Sequence, residues 1–313
     1  MTPSQMAEFL QGRDRFLVLT HRRPDGDTLG CAAALCAGLR SLGKTAYLLP
    51  NAELTPTYAP YVTPYLAESG FEPETVVSVD VAARSLFPAN ALPYLERLDA
   101  AIDHHPSFEG FGKVQCVQAE RAACGEILYD ILCAMGTLNA EAALPLYVAV
   151  STDTGCFVYS NTTDNTHRVA AELLRYPIDY RAVNKRCFRT KSRKRLQLEA
   201  AMLGSMEFFD EERIVTLAIP RSLIAAVGAG ERDMEDLSAL GGLVEGTDCA
   251  ITLRELEPNE WKISVRTGRR INATHACGLL GGGGHRAAAG ATVCGSYAEV
   301  RDRIVEACLA SVE

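Results

Sequence analysis

Short apolar runs alternate with longer helical segments along the first half of the chain. The run at residues 16–19 precedes an Ala-rich segment at residues 29–42, and a β-branched run at residues 74–80 ends on a carboxylate. Apolar runs of about four to eight residues are typical of buried strands, whereas longer periodic stretches are typical of helices. The strand-like runs are residues 16–19, 44–50, 74–80 and 98–102. Their alternation with helices predicts a doubly wound, mainly parallel α/β sheet.

The pattern changes near residue 180. Residues 181–195 carry eight basic side chains and no acidic one, which indicates a connection between domains. Strand-like and helical runs resume beyond it, at residues 214–219, 249–255, 260–266, 272–280 and 296–309. We therefore predict an N-terminal catalytic domain at residues 1–180, a basic linker at residues 181–200 and a smaller C-terminal α/β domain at residues 201–313, a division in keeping with usual domain sizes.

Composition and charge restrict the class of protein. The 313 residues are 48% hydrophobic and carry a net charge of −8, which argues against a protein that coats long nucleic acid with a basic surface. Binding of short anionic ligands is still possible, because bound divalent cations make the local charge of an acidic pocket positive. No apolar run approaches the roughly 20 residues that cross a bilayer, and the first residues lack a signal peptide. We expect a cytoplasmic protein without a membrane partner, and a homodimer is compatible with the sequence.

The 11 cysteines are scattered, and no Cys-x-x-Cys pair occurs among them. That pattern does not match the ligand spacing of a structural zinc site. We expect reduced thiols, several of which serve as small core residues.

Side chains that bind metals follow three of the predicted strands and one predicted helix. Each could singly be a helix cap or a turn residue. Because the carboxyl ends of parallel strands meet at one edge of a sheet, we expect these side chains to lie together. The candidate ligands are His21, Asp25, Asp27, Asp80, His104 and Asp153. Two imidazoles and four carboxylates suit a divalent ion such as Mn²⁺, and thiolate-rich sites would suggest zinc instead.

In their order along the chain, these motifs resemble the DHH phosphoesterase family. The matching stretches are residues 21–27 (His-Arg-Arg-Pro-Asp-Gly-Asp), Asp80, residues 103–105 (Asp-His-His) and residues 151–157. Arg266, followed by Gly282, Gly283, Gly284 and His285, is similar to the accompanying DHHA1 domain. The resemblance covers nearly the whole chain and is closest to the nanoRNase, or bifunctional oligoribonuclease/PAP phosphatase, branch. Cys31 stands where a small hydroxyl residue is frequent in the family, after the glycine of the first motif. We expect this difference to have only a mild effect on packing.

The resemblance implies two divalent metal ions, with Mn²⁺ favoured over Mg²⁺. His21, Asp25 and Asp80 would hold one ion. The ligands of the other would be Asp27, Asp80, His104 and Asp153. A water between the ions would be the nucleophile. Asp103 would orient His104, and His105 would face the scissile phosphate.

The same resemblance implies that Arg266, residues 282–284 and His285 hold the nucleotide end of the substrate. The leading hypothesis is hydrolysis of short RNA, including the dinucleotide pApA, to mononucleotides and of 3′-phosphoadenosine 5′-phosphate to AMP. A cyclic-dinucleotide phosphodiesterase is the alternative within enzymes. A nucleotide sensor without turnover is the alternative from another class. An inorganic pyrophosphatase fits the first-domain motifs, but it fits Arg266 and the Gly-His stretch less well.

Overall fold

Five parallel strands form the central sheet of the first unit, residues Met1–Thr190. The strands are β1 (Phe16–Leu19), β2 (Ala46–Leu48), β3 (Thr75–Val79), β4 (Ala100–Asp103) and β5 (Val114–Val117). The computed structural model describes residues 1–234 and 237–313. The strand order β2-β1-β3-β4-β5 is that of a doubly wound sheet, whose ligand site lies where the order reverses, between β1 and β3.

The α-helices pack on one face of this sheet, and short 3₁₀ helices pack on the other. The α-helices are α1 (Pro3–Gln11), α2 (Gly26–Ser41), α3 (Ala59–Val62), α4 (Cys124–Met135), α5 (Ala140–Asp153), α6 (Asp164–Leu173) and α7 (Tyr180–Asn184). The larger core joins α2, α4 and α5 to one face of the strands. On the opposite face, Leu17, Val76 and Phe111 form a second core together with the short 3₁₀ turns after β3. The predicted α/β fold is confirmed, although the half-exposed edge strand β5 was not predicted.

The second unit, Lys191–Glu313, is built on a six-stranded mixed sheet. Its strands are β6 (Glu207–Phe209), β7 (Ile214–Ile219), β8 (Cys249–Glu257), β9 (Glu260–Thr267), β10 (Gly283–His285) and β11 (Ala288–Cys294), in the order β10-β11-β9-β8-β7-β6. Its helices are α8 (Arg193–Gly204), α9 (Arg221–Val227), α10 (Ala273–Gly278) and α11 (Tyr297–Leu309). β7 and β8 pair in parallel, and the other strand pairs are antiparallel.

The glycine stretch differs from its sequence pattern, whereas the helical character of the basic segment does not. The glycine stretch, predicted as a loop, places Gly283–His285 in a strand that pairs with β11, because the Ala-rich run after it supplies an antiparallel partner. The basic segment is mostly helical: it includes a π-helical turn at Lys185–Arg189 and the start of α8. The boundary between the two units, between Thr190 and Lys191, lies within it. None of the described helices has both the length and the apolar character needed to cross a membrane.

Candidate metal centre

The turn between β1 and α2, together with the first residues of that helix, holds three of the candidate ligands. Asp25 is the N-cap of α2, and its Oδ1 accepts hydrogen bonds from the amides of Asp27 and Thr28 at 3.1 Å each. The first helical residue must be glycine, since a Cβ at Gly26 would lie 2.2 Å from Oγ1 of Thr152. This close approach of α2 to the end of α5 brings the turn next to the residue that precedes Asp153.

His21 is oriented by its own turn. Its Nδ1 lies 2.8 Å from the carbonyl oxygen of Arg22, which accepts only from a protonated nitrogen. The unprotonated nitrogen of the neutral ring is therefore Nε2, which lies 3.5 Å from Oδ1 of Asp25. A backbone carbonyl on one ring nitrogen is the usual way in which proteins present the other nitrogen to a metal.

Asp27 is buried and held by three donors. Its Oδ2 accepts from the amide of Cys124 at 2.7 Å, and its Oδ1 accepts from the amide of Gly125 at 2.9 Å. These are the first amides of α4, whose own N-cap, Ala123, has no side chain that could cap them. The thiol of Cys31, one turn along α2, lies 3.3 Å from Oδ1. The carboxylate therefore faces the positive end of a helix dipole.

Asp80 lies at the carboxyl end of β3, and it is only 3% exposed. Its φ of 57° is in the left-handed region, which is unfavourable for a residue with a Cβ and is typical of functional sites. Within the described part of the chain, its buried Oδ1 has no hydrogen-bond partner. The nearest ring nitrogens are Nε2 of His104 at 3.4 Å and Nδ1 of His105 at 3.6 Å.

His104 faces several carboxylates at once. Its Nδ1 lies 3.0 Å from the carbonyl oxygen of Arg121, so its Nε2 is presented to the centre. The oxygens nearest to Nε2 are Oδ1 of Asp80 at 3.4 Å, Oδ2 of Asp153 at 3.6 Å and Oδ2 of Asp27 at 3.9 Å. These separations are too long for hydrogen bonds. Two ligands about 2.1 Å from one ion stand about 3.0 to 3.5 Å apart, so the spacing fits a shared cation.

The pairing of Asp103 differs from the prediction. Oδ1 of Asp103 lies 2.7 Å from Nδ1 of His105 and also accepts from the His105 amide at 2.8 Å, whereas His104 is oriented by the Arg121 carbonyl. The reason is geometric: Asp103 is the last residue of β4 and caps the turn that follows, which brings the second histidine, not the first, onto its carboxylate. Asp103 is fully buried, and the side chain of His105 is 40% exposed.

Crowding of negative charge shapes the electrostatics of the centre. Burial, followed by the charges of Asp27 and Asp25, holds the pKa of Asp80 well above its ordinary value. Burial and the charge of Asp27 raise the pKa of Asp153 to about 7. The hydrogen bond that the His105 ring donates to Asp103 is the largest cause that raises the pKa of His105. Carboxylates in such a cluster are poorly compensated by protein groups alone, and bound cations would relieve them.

The six candidate ligands lie in one cluster of the first unit. Three sets each have their ligand atoms within 4.8 Å of one another: His21 with Asp25 and Asp80, Asp27 with His104 and Asp153, and Asp80 with both histidines of the Asp-His-His motif. Asp80 belongs to the His21 set, and its Oδ1 lies 3.4 Å from Nε2 of His104 in the Asp27 set, so the donors fit a pair of ions that share one carboxylate. An unpartnered buried oxygen at that shared residue is the observation that supports the fit.

The predicted substrate residues lie on the sheet of the second unit. Arg266 of β9 pairs with Ala288 of β11, which pairs in turn with His285 of β10. Three neighbouring strands therefore present Arg266 and His285 at the same level, about 10 Å apart in backbone position. Both side chains are exposed, as are Gly283 and Gly284. A Cβ at Gly282 would lie 2.2 Å from the Gly290 carbonyl, so close strand approach requires that glycine.

The sequence of this chain matches a known family and is similar to those of known proteins. Residues 15–150 match the DHH family, N-terminal domain. A Thermus thermophilus protein named bifunctional oligoribonuclease and PAP phosphatase NrnA is 32% identical over 295 residues, which cover 93% of this chain and 88% of that protein. This chain belongs to the DHH family. A Bacillus subtilis protein of the same name is 24% identical over 291 residues, 90% of each chain.

The fold of this DHH chain is also that of a solved structure. An exopolyphosphatase-related protein from Bacteroides fragilis superposes with a TM-score of 0.83 at 21% identity, covering 98% of this chain and 95% of that one. The resemblance drawn from the sequence motifs is confirmed by the family match and the NrnA relatives.

Three groups around the centre of this DHH chain were not foreseen as participants. They are the Cys31 thiol, the first amides of α4 and the carbonyl of Arg121. For Cys31 a signal was present, because it lies four residues after Asp27 and so one helical turn away on the same face. The other two contacts are tertiary, and no spacing along the chain indicates them.

Proposed function

We propose that this DHH chain is a metal-dependent phosphoesterase that hydrolyses short oligoribonucleotides to mononucleotides and 3′-phosphoadenosine 5′-phosphate to AMP. The observation that carries the proposal is the position of Nε2 of His104, which faces oxygens of Asp80, Asp153 and Asp27 at 3.4, 3.6 and 3.9 Å. The names of the NrnA relatives, which align over most of the chain, support this choice of substrates.

We assign the candidate ligands to two ions that share Asp80. One ion would be held by His21, Asp25 and Asp80. The second would be held by Asp27, His104 and Asp153 together with Asp80. When bound, two such ions stabilise charge on the attacking and leaving oxygens of a phosphoester, and the mixture of carboxylate and imidazole donors favours Mn²⁺.

His105 supplies a proton and positive charge on the open side of the centre. Because Asp103 accepts from Nδ1–H and raises the pKa of the ring, the imidazolium persists to higher pH than that of an ordinary histidine. A side chain that is 40% exposed can donate through its other nitrogen to a phosphate oxygen of the substrate. His105 would thus bind the scissile phosphate, and Asp103 would fix its tautomer.

In the second unit, the hairpin β10–β11 and the neighbouring β9 would bind the nucleotide end. Arg266 offers a planar, permanently charged fork that suits phosphate. Exposed backbone at Gly283 and Gly284 permits close approach of a ligand, and His285 adds a hydrogen-bonding ring. Gly282 sets the spacing of the hairpin.

The test uses purified protein loaded with Mn²⁺ and incubated separately with pApA, 3′-phosphoadenosine 5′-phosphate, cyclic di-AMP and pyrophosphate, with the products resolved by chromatography. We expect AMP from the first two substrates. Hydrolysis of none of the four would contradict the enzyme proposal, and turnover of pyrophosphate or of cyclic di-AMP alone would replace the substrate class. Glu306→Gln, which changes an exposed carboxylate of α11, serves as the control variant.

A further inference from the structure

Two large hydrophobic side chains are exposed just beyond the metal centre. Asp153 is the last residue of α5, and the loop after it exposes Val158 to 79% and Tyr159 to 61%. An aromatic ring with this exposure leaves apolar surface in water unless a ligand covers it. The metal-ligand cluster does not account for either side chain.

The backbone of this loop is held in an unusual conformation. Gly155, Cys156 and Phe157 have φ values of 55°, 58° and 67°, three consecutive residues in the left-handed region. A Cβ at Gly155 would lie 2.4 Å from the Tyr159 ring, so the ring packs on the glycine. Left-handed conformations of non-glycine residues are unfavourable, and they persist mainly where the surrounding structure holds them at sites that serve a function.

Hydrogen bonds fix the loop relative to the centre. The amide of Tyr159 donates to the carbonyl of Thr154 at 3.0 Å, and Nδ2 of Asn161 donates to the carbonyls of Asp153 at 3.1 Å and Ala122 at 3.0 Å. The buried side of the loop is anchored by Phe157, whose ring stacks on His167 with centroids 5.3 Å apart. Tyr159 is therefore an exposed ring at a defined place beside the Asp153 ligand.

A cation lies near the same loop. Burial raises the pKa of the Cys156 thiol, and the guanidinium of Arg189 opposes that rise, so Arg189 is within electrostatic reach of the loop. Arg189 ends the π-helical turn Lys185–Arg189, and its side chain is exposed. Exposed aromatic rings beside cationic side chains are the usual elements of sites for single-stranded nucleic acid, where bases stack and phosphates are neutralised.

We propose that Tyr159 is the platform on which a nucleobase of the oligoribonucleotide stacks, and that it selects substrates bearing a base next to the scissile phosphate. This inference rests on the proposed function and names a specificity-determining residue for it. The loop that carries Asp153 would thus position the substrate as well as the metal.

The experiment compares wild type with Tyr159→Ala, Tyr159→Leu and Tyr159→Phe on pApA and on an analogue with one base removed. Stacking predicts that the Ala and Leu variants raise KM for pApA about tenfold with kcat within about twofold, and that Phe restores KM. On the abasic analogue, wild type and variants should have similar KM values. Leu92→Ala, which removes another exposed hydrophobic side chain of the first unit, should match wild type.

Equilibrium binding separates this inference from the proposed function. With Ca²⁺ in place of Mn²⁺, the ratio of the pApA dissociation constants of Tyr159→Ala and wild type should be about ten. If wild type binds pApA without cleaving it, the proposed function fails while this ratio still decides the stacking. An unchanged ratio, an equal loss on the abasic analogue, a loss in the Phe variant or no binding by wild type would each overturn the inference.

Discussion

The amide of Cys124 donates a 2.7 Å hydrogen bond to Oδ2 of Asp27, so a carboxylate from α2 caps α4. The cap is supplied from a distance of 97 residues along the chain, and it completes a helix end that has no side-chain cap of its own. One side chain thereby links the packing of two core helices to the proposed metal centre. The position of the carboxylate is fixed before any ligand binds, which is how a site is preorganised.

The thiol of Cys31 should contribute to this preorganisation. It lies 3.3 Å from Oδ1 of Asp27, and both side chains are buried. We expect Cys31→Ala to weaken Mn²⁺ activation several-fold, less than the roughly 10–100-fold typical of stronger outer-shell partners, because a thiol is a weak donor. Cys31→Ser should retain most of the wild-type response. The measurement is the Mn²⁺ concentration for half-maximal activity.

Cys36→Ala is the matched control for Cys31→Ala, since it truncates another buried cysteine of α2. Equal changes in Cys31→Ala and Cys36→Ala would assign the effect to packing of α2. No change in Cys31→Ala would show that the two α4 amides suffice to hold Asp27.

Binding of the metal should release protons, more so at lower pH. Burial and the charge of Asp27 raise the pKa of Asp153 to about 7, so in the metal-free protein this carboxyl is largely protonated below that pH. A metal ligand must be ionised, so protons compete with Mn²⁺ and its affinity should fall as the pH drops below about 7. Calorimetric titration at pH 6 and pH 8, in buffers of different ionisation enthalpy, counts the protons released.

We expect greater proton release at pH 6 than at pH 8, and a smaller difference in Asp153→Asn. Release that rises with pH, or none at either pH, would contradict the assignment of Asp153 as a ligand that titrates near neutrality.

Asp80→Asn should separate stability from activity. Burial and neighbouring carboxylates hold the pKa of Asp80 above its unfolded value of 3.8, so the folded metal-free protein binds a proton that the unfolded chain releases. Stability is therefore lost as the pH rises from 3.8 through the folded pKa. The Asn amide cannot ionise, so it removes this loss of stability. We expect the melting temperature of the metal-free variant at pH 7 to rise by about 2–4 °C for each kcal/mol of unfolding free energy gained. Turnover should be abolished.

The control for Asp80→Asn is Asp99→Asn. Asp99 accepts hydrogen bonds from the Val76 amide at 2.9 Å and from Nζ of Lys113 at 2.8 Å, so its replacement should lower the melting temperature. Near-normal Mn²⁺-dependent turnover by Asp80→Asn would refute the shared-ligand assignment.

The candidate ligands could be predicted from the sequence because each follows a strongly patterned element. Asp80 ends a β-branched run, and Asp103 with His104 follows a short apolar run, so parallel pairing alone brings them to one sheet edge. Asp153 could be predicted in the same way, although it ends a helix and not a strand. Its helix, α5, packs on α2, which brings Asp153 to the same site. The local sequence pattern was therefore enough to predict those site residues whose position depends only on where a strand or helix ends.

The remaining contacts depend on tertiary geometry that spacing does not encode. Which histidine of the Asp-His-His motif meets Asp103 is decided by the turn after β4, and the cap of α4 by Asp27 is decided by the packing of α2. In the second unit, β10 consists of Gly283–His285, whose composition indicates a loop, and it is a strand only because β11 folds back beside it. Glycine has too little intrinsic preference to predict that outcome.

An acidic group of the second unit should make its stability sensitive to low pH. Glu199 of α8 is buried, and its carboxylate accepts from Nε of Arg195 at 2.6 Å and from Nζ of Lys191 at 2.8 Å. Burial alone would raise its pKa, but these two cations reverse that effect and lower it below 4.5. The ionised form is thus favoured in the folded state, so its stabilisation is present above pH 4.5 and is lost as the pH falls through the lower folded value.

Glu199→Gln should therefore lower the free energy of unfolding at pH 7 by about 1.5–3 kcal/mol, the range for hydrogen bonds to charged groups, and the difference from wild type should shrink below pH 4.5. Chemical denaturation at pH 7 and at pH 3.5 measures both values, with Glu306→Gln as an exposed control on α11. Lys191 is 44% exposed and Arg195 only 16%, so Arg195→Gln should reproduce more of the effect than Lys191→Gln. A difference from wild type that is the same at both pH values would show that Glu199 acts through packing and not through its charge.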